Sequence, residues 1–324
     1  MSEKILANFN WSVVRDELHL RSLPSTTLGL TNFGNSNGSK NDLRQNYIPK
    51  AEETGNTTIY HNQEVTAIRQ LDSGFELDIT QYDAFAKVIR KSKLRCDKLI
   101  MSAGSYHTTR LMMNAKETEA IKGFNEYVGK NWGDNHNRMS FRQGRGADAF
   151  PRFGTQASPP ASSFYDSDQV IPTVVENWAN AALMEVGVSM SLTVGADTSS
   201  SHRRGEFIYD ANLGDTRLHY PKEHRRDATE SLRNINNKIA SVNHQKTGAP
   251  GFLDVIPTGA HPIGGMEIGK VTDTYGRVKG VENLYIMDGS QIPGNNGAAN
   301  PVLMIAALTE RNIEYLIENG DFTI

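Results

Sequence analysis

A chain of 324 residues with 38% hydrophobic and 22% charged content can bury a substantial core and is long enough for two domains or one large interleaved one. Its formal net charge of -3 and pI near 6.3 give no electrostatic footprint for nucleic acid or an anionic membrane. A single cysteine, Cys96, excludes an intrachain disulfide and a cysteine-rich metal site.

The amino-terminal MSEKILANFNWSVVRDELHL has neither a continuous apolar stretch nor a small-residue cleavage site, and so does not read as a secretory signal. No apolar run approaches the roughly 20 residues that span a bilayer. The chain as written is expected in the cytoplasm, although a segment ahead of Met1 could have carried a signal. Residues 27 to 49 are rich in Gly, Asn and Ser, and Phe33-Gly34-Asn35-Ser36-Asn37-Gly38 predicts a loop, followed by a helix. Thr57 to Arg69 and Gly74 to Gln81 are β-rich and broken at Asp72-Ser73-Gly74, which predicts a hairpin. Lys98 to Ala103 is a short buried strand running into Gly104-Ser105 and then a helix. Asn131 to Ser167 reads as loops with little regular structure. Leu183 to Val194 alternates strictly and predicts a half-buried strand, with Glu185, Gly187, Ser189 and Ser191 on its polar face. A hairpin over Gly205 to Tyr220 and an amphipathic helix over Arg226 to Val242 follow. Leu284 to Asp288 is a further buried strand, and Pro301 to Glu318 is a helix with proline in its first turn and Gly320 as its stop. No internal repeat is evident.

Motifs exclude several chemistries. The histidines are scattered without HExxH or Cys/His spacing, and His219 and His224 lie in a charged loop, so no metal is expected. There is no P-loop. Gly144-Arg145-Gly146 begins a dinucleotide-type pattern, but Ala149 holds the third glycine position and no buried strand precedes it. Cys96, between Arg95 and Asp97, reads as structural.

The most informative part is the last quarter. The segments HPIGG, then GKVTDTYGRVKGVENLYIMDGSQIPG, then ANPVLMIAALTERN resemble the cholesterol oxidases of the glucose-methanol-choline (GMC) oxidoreductase family. The resemblance continues upstream through Val128-Gly129-Lys130-Asn131-Trp132-Gly133, Leu99-Ile100-Met101-Ser102-Ala103-Gly104-Ser105 and Phe33-Gly34-Asn35, and so covers nearly the whole chain. It implies FAD-dependent oxidation of a sterol 3-hydroxyl to a ketone, with oxygen giving hydrogen peroxide, and a double-bond isomerisation.

The resemblance makes His261, Asn300 and Glu185 catalytic. His261 would hold the substrate hydroxyl and orient its C–H bond toward the flavin; read by itself, it is a core histidine bonded to a backbone carbonyl. Asn300, placed as N-cap of the final helix, would add a donor beside the flavin where charge develops, or simply cap. Glu185 would shuttle a proton in the isomerisation, or face solvent. Val65, Ala103, Gly104, Asp288, Gly289, Asn300 and Val302 are implied as cofactor-binding. Their plain alternatives are strand end and tight turn. Asp288 could accept from a ribityl hydroxyl or order water at the pyrophosphate. Departures from the pattern are Met266 for a cysteine, Ala260 for an aromatic residue, one residue inserted before Asn300, and the lack within these residues of the GxGxxG strand-turn-helix unit, beyond which Met1 aligns.

The expected fold is therefore α/β: an incomplete, Rossmann-like FAD-binding domain interleaved with an α+β substrate domain on a mostly antiparallel sheet. Residues 1–56 would be a substrate-domain segment, 57–127 the first part of the FAD-binding domain, 128–260 the substrate domain and 261–324 the second FAD-binding part. Expected partners are a sterol or other bulky alcohol, oxygen and a complementary N-terminal chain supplying the absent unit; nucleic acid and a transmembrane segment are not expected. Two other readings stay open. One is a GMC oxidoreductase for a non-steroid alcohol, and the other a noncatalytic truncated fragment or one subunit of a split GMC flavoenzyme.

Overall fold

The computed structural model describes residues 43–143, 161–164, 171–178, 188–197, 204–248, 255–257 and 259–322. A 3-10 turn leads into α1 (Tyr47–Glu53), whose first amide donates to the Asn46 side chain at 2.6 Å. Three strands follow, β1 (Gln63–Gln70), β2 (Phe75–Tyr82) and β3 (Val88–Cys96), then β4 (Leu99–Met101) and α2 (Gly104–Glu117). The next strands are β5 (Arg138–Gln143), β6 (Ala161–Phe164), β7 (Thr173–Trp178), β8 (Val188–Gly195), β9 (Glu206–Asp210) and β10 (Asp215–His219). The chain closes with α3 (Glu223–Val242), β11 (Lys246–Thr247), β12 (Val255–Pro257), β13 (Leu284–Ile286) and α4 (Val302–Glu318).

These elements form two units. One comprises the chain up to Ile59, His136–Ala196 and Arg226–Thr258; the other comprises Tyr60–Asn135, Asp197–Arg225 and Gly259–Ile324. The first unit is an antiparallel sheet in the order β11-β5-β8-β7-β6. β5 pairs with β8 along one edge, and with β12 and β11 at the two ends of the other. α3 lies on this sheet through Leu232 and Ile235, packed with Val175 of β7.

β5 corrects an expectation, because it falls inside the stretch that reads as loop. Its sequence RMSFRQ carries two arginines, and both are buried. Arg138 donates to Thr229 Oγ1 at 2.9 Å; Arg142 donates to Asn236 Oδ1 at 2.8 Å and to Ser191 Oγ at 2.7 Å. Burial pushes the Arg142 guanidinium down to about 10. The strand on Leu183 to Val194 is observed from Val188. Ser191 and Thr193 are as buried as Leu192 and Val194, so the polar face of the alternation is covered rather than solvated.

The second unit holds the three-stranded antiparallel sheet β1-β2-β3, the parallel pair β4-β13, the β9-β10 hairpin, α2 and α4. β3 escaped the sequence reading because it is charged. Its Lys93 and Arg95, together with Arg69 of β1, all pair with Glu76 of β2, so cross-strand ion pairs stand in for an apolar pattern. The core joins Phe75, Leu77 and Ile79 of β2 to Leu111 and Met112 of α2, Leu99 and Met101 of β4, and Leu284 and Ile286 of β13. Ser105, Thr108, Thr109 and Met112 recur at helical spacing on the buried face of α2, which turns that helix toward the loops discussed next.

Asp197–Arg225, grouped with residues 128–260 in the sequence reading, packs within this second unit. The reason is backbone pairing. Gly205 exchanges hydrogen bonds with Trp132 at 2.7 and 3.0 Å, Phe207 N donates to Gly129 O at 2.8 Å, and the Phe207 ring meets Trp132 edge-on.

Candidate functional site

At the carboxyl end of the parallel pair, β4 runs through Ser102-Ala103 into α2, and Gly104 takes φ +78, a left-handed conformation suited to glycine. Ala103 gives the helix no side-chain cap. Asp288, just past β13, does so from across the turn. Its Oδ2 accepts from Gly104 N at 3.0 Å and Thr108 Oγ1 at 2.5 Å; its Oδ1 accepts from Ser290 N at 2.9 Å and Ser290 Oγ at 2.5 Å. Four donors fill the roughly four acceptor positions of a carboxylate. Asp288 is buried and sits where the helix dipole favours a negative charge.

The HPIGG loop is bolted beside it. Gly264 N donates to Gly289 O at 3.0 Å, Met266 N to Ser290 O at 2.9 Å and Ile268 N to Gln291 O at 3.0 Å. Ser105 Oγ donates to Gly264 O at 2.7 Å, tying the loop to α2. Both glycines have positive φ, and a Cβ on either would clash: on Gly264 with the Asn131 carbonyl, on Gly265 with the Thr109 side chain. Gly289 in turn allows Ile305 of α4 and Ile263 to approach within 3.1 and 3.4 Å of where its Cβ would lie.

His261 opens this loop, half-buried. Its Nδ1 is buried and has no hydrogen-bond partner among the described residues, so the carbonyl bond expected of a core histidine is not made. Burial pushes the imidazole down to about 4, so the ring is neutral at physiological pH. A neutral ring with an unengaged buried nitrogen can accept a hydrogen bond or take up a proton.

Asn300 is held by a clamp that sequence reasoning missed. Asn135, fully buried, donates from Nδ2 to Ala299 O at 2.8 Å and accepts at Oδ1 from Asn296 N at 2.8 Å. One side chain thus grips both ends of the loop, and Asn296 Nδ2 reaches Asn300 O at 3.4 Å. The expected N-cap role of Asn300 is corrected. The Pro301 carbonyl accepts from Ile305 N at 2.8 Å, the first bond of the helix, so the cap is Pro301 and Asn300 lies one residue outside.

The structure therefore brings together Ala103 and Gly104, Asp288 and Gly289, and the HPIGG loop, with α4 leading from Asn300 past Gly289. Val302 lies exposed in the first turn of α4. Val65 sits on β1, half-buried and paired with Ile79, without a hydrogen bond to this cluster. Glu185 lies outside the described residues. Thr108, Ser290, Asn135 and Asn296 were not anticipated; the only signal for them is side-chain amides and hydroxyls at chain turns. Among the described residues no group of His, Cys, Asp and Glu could hold a metal.

Comparison with known proteins bears on this cluster directly. Residues 205–309, which contain the HPIGG loop, Asp288-Gly289 and Asn300, match the family model described as GMC oxidoreductase. This segment is similar to the GMC oxidoreductases. The chain is 38% identical over 86 residues to a cholesterol oxidase of Acinetobacter baumannii, covering 24% of this chain and 15% of that protein. It is 43% identical over 77 residues to a cholesterol oxidase of Mycobacterium tuberculosis, covering 22% of this chain and 13% of that protein. Among solved structures it is similar to an FAD-dependent oxidoreductase from Chaetomium thermophilum, with TM-score 0.64, 13% identity, and coverage of 88% of this chain and 66% of that one. The aligned stretches thus span a small part of the curated relatives, and the chain spans about two thirds of the solved one.

The residues fit a flavin nucleotide in two respects, the unengaged buried nitrogen of His261 and the open space over Gly104, which lets a ligand approach the backbone. The Asp288 carboxylate, fully occupied by donors of its own chain, fits as the support of that N-terminus rather than as an acceptor for a ligand hydroxyl.

Proposed function

We propose that this protein takes part in FAD-dependent oxidation of an alcohol. The substrate class is a 3-hydroxysteroid or similar bulky secondary alcohol, converted to a ketone with oxygen giving hydrogen peroxide, and with double-bond isomerisation as a second step. The observation that carries the reading is His261, neutral and with its buried Nδ1 unengaged, on a loop locked beside Asp288-Gly289.

Bound FAD supplies the two-electron oxidant that accepts hydride. The chain's own residues do the rest. His261 accepts the hydrogen bond of the substrate hydroxyl and takes its proton as the carbonyl forms. Asn300, placed by the Asn135 clamp, offers its side-chain amide where negative charge develops. Ala103 and Gly104 would let the cofactor approach the backbone closely, while Val65, Gly289 and Val302 would line it elsewhere. Glu185 is the base of the isomerisation.

The test is to mix the purified chain with FAD and record flavin absorbance and peroxide formation from cholesterol and from a panel of non-steroid alcohols. Bound flavin with peroxide from the sterol is expected. His261→Gln should lower the oxidation rate by about a hundredfold or more while leaving the flavin absorbance in place. Peroxide from only the non-steroid alcohols would move the substrate class and keep the chemistry.

One observation favours a second reading, in which the chain is one subunit of a split GMC flavoenzyme. Among the described residues the parallel pair β4-β13 has two strands, Ile100 of β4 is 42% exposed, and the first turn of α4 exposes Val302, Leu303 and Met304. Parallel strands are normally buried on both faces in larger sheets. On this reading, FAD is bound only after a complementary strand-and-helix segment has been supplied.

A further inference from the structure

Among the described residues the most exposed large apolar side chain is Phe85, at 91%. It stands at the tip of the β2-β3 hairpin, and the tip is rigid. Asp83 Oδ1 accepts from Phe85 N at 2.8 Å and Lys87 N at 2.9 Å, Asp83 N donates to Lys87 O at 2.9 Å, and Ala86 N donates to Asp83 O at 3.1 Å. Phe85 is thus presented on a pinned turn rather than left on a loose loop. Ile89, 60% exposed, and Val88 follow on the same strand. Tyr60, 62% exposed, lies just ahead of β1, where Asn62 O accepts from Tyr82 N at 2.9 Å.

Cations are interleaved with these apolar groups. Lys87, Arg90 and Lys91 are exposed and make no ion pair among the described residues, whereas Lys93 and Arg95 farther along β3 are engaged by Glu76. The one acid between Tyr82 and Lys91 is Asp83, whose carboxylate is turned into the loop. The other acid at this end is Glu64 of β1, whose carboxylate accepts from the Tyr82 hydroxyl at 2.6 Å, which leaves three cations against two carboxylates in a chain of net charge -3.

We infer that the β2-β3 hairpin tip is a docking surface for an anionic lipid bilayer. An aromatic side chain with two aliphatic neighbours meets the acyl boundary, while cations beside it meet lipid phosphates; the headgroup region offers both at one depth. A nucleic acid would engage the cations and the ring but leave Val88 and Ile89 in water. A partner strand would pair along the open edge of β3, which leaves Phe85 beyond the ladder. The attachment is peripheral, since no helix among the described residues is long and apolar enough to cross a membrane.

Co-sedimentation of the full chain with vesicles of phosphatidylcholine alone, and of phosphatidylcholine with phosphatidylserine, tests this. At about 0.1 M salt we expect about tenfold more protein on the anionic vesicles, falling as salt rises. The double variant F85S/I89S should reduce that binding about tenfold, and R90E/K91E should remove the preference for phosphatidylserine. All four side chains are exposed, so far-UV circular dichroism and melting should not change. A Phe85→Trp variant should show blue-shifted emission on the anionic vesicles alone. The inference is overturned if the chain ignores both vesicles, if the variants bind as well as the parent, or if a single-stranded RNA or acidic polypeptide is bound in their place. Vesicle binding requires neither flavin nor turnover, so failure here leaves the oxidoreductase reading standing, and the converse holds.

Discussion

Burial holds His261 at about 4, against an ordinary value of 6.5, and this has a consequence for stability as well as for chemistry. Between those two pH values the unfolded chain binds more protons at this position than the folded one, so stability rises with pH. The contribution is complete above about pH 6.5 and is lost as pH falls through about 4. Urea titrations at pH 7 and pH 4 should show the parent losing about 1–2 kcal/mol more than His261→Gln, a figure discounted for the half-exposed ring. An equal loss in both proteins would remove His261 as the cause. At Asn135 the issue is connectivity. Asn135→Ala leaves the Asn296 amide and the Ala299 carbonyl without their partner and places alanine at φ 54, and should destabilise by about 2–3 kcal/mol. Asn135→Gly relieves only the backbone strain and should cost less, and in a flavin-loaded enzyme both should lower kcat through Asn300. The sequence made Asp288 visible as an acid after a buried strand, but not the donors from α2, because Gly104 and Thr108 lie 184 and 180 positions upstream in the chain.

At the scale of elements, apolar periodicity made β2, β4, β13, α2 and α4 legible, while strands whose burial relies on polar partners were not. β5 and β3 both carry basic side chains that find acceptors on other elements, and no local pattern announces such pairing. The glycines of HPIGG were legible as a motif and their necessity was not, since the clashing groups come from Asn131 and Thr109. This yields a differential prediction. Gly264→Ala and Gly265→Ala should each destabilise by roughly 2–4 kcal/mol in chemical denaturation. Thr109→Ala should partly rescue the second, whose obstacle is a side chain, and not the first, whose obstacle is backbone. Failure to rescue either would show that the strain lies in φ rather than in the Thr109 contact.

For the whole molecule, the interleaving of two units was expected, and the placement of Asp197–Arg225 was not, because a β9-β10 hairpin reads the same whichever sheet or loop it joins. The exposed start of α4 gives a further test of the split-enzyme reading. Val302→Ser, Leu303→Ser and Met304→Gln together should change stability by less than about 1 kcal/mol, since Leu303 is 56% exposed and the other two are similarly open. If a complementary segment covers them, the same variant should abolish flavin retention in the mixed sample.

Because each unit is assembled from three separate stretches, the molecule has no seam that a single cut could follow. Trimming from the amino end removes part of one unit first, and trimming from the carboxyl end removes part of the other. A nested-deletion series should therefore yield no stable half, and recovering either unit alone requires excising internal segments and rejoining the ends.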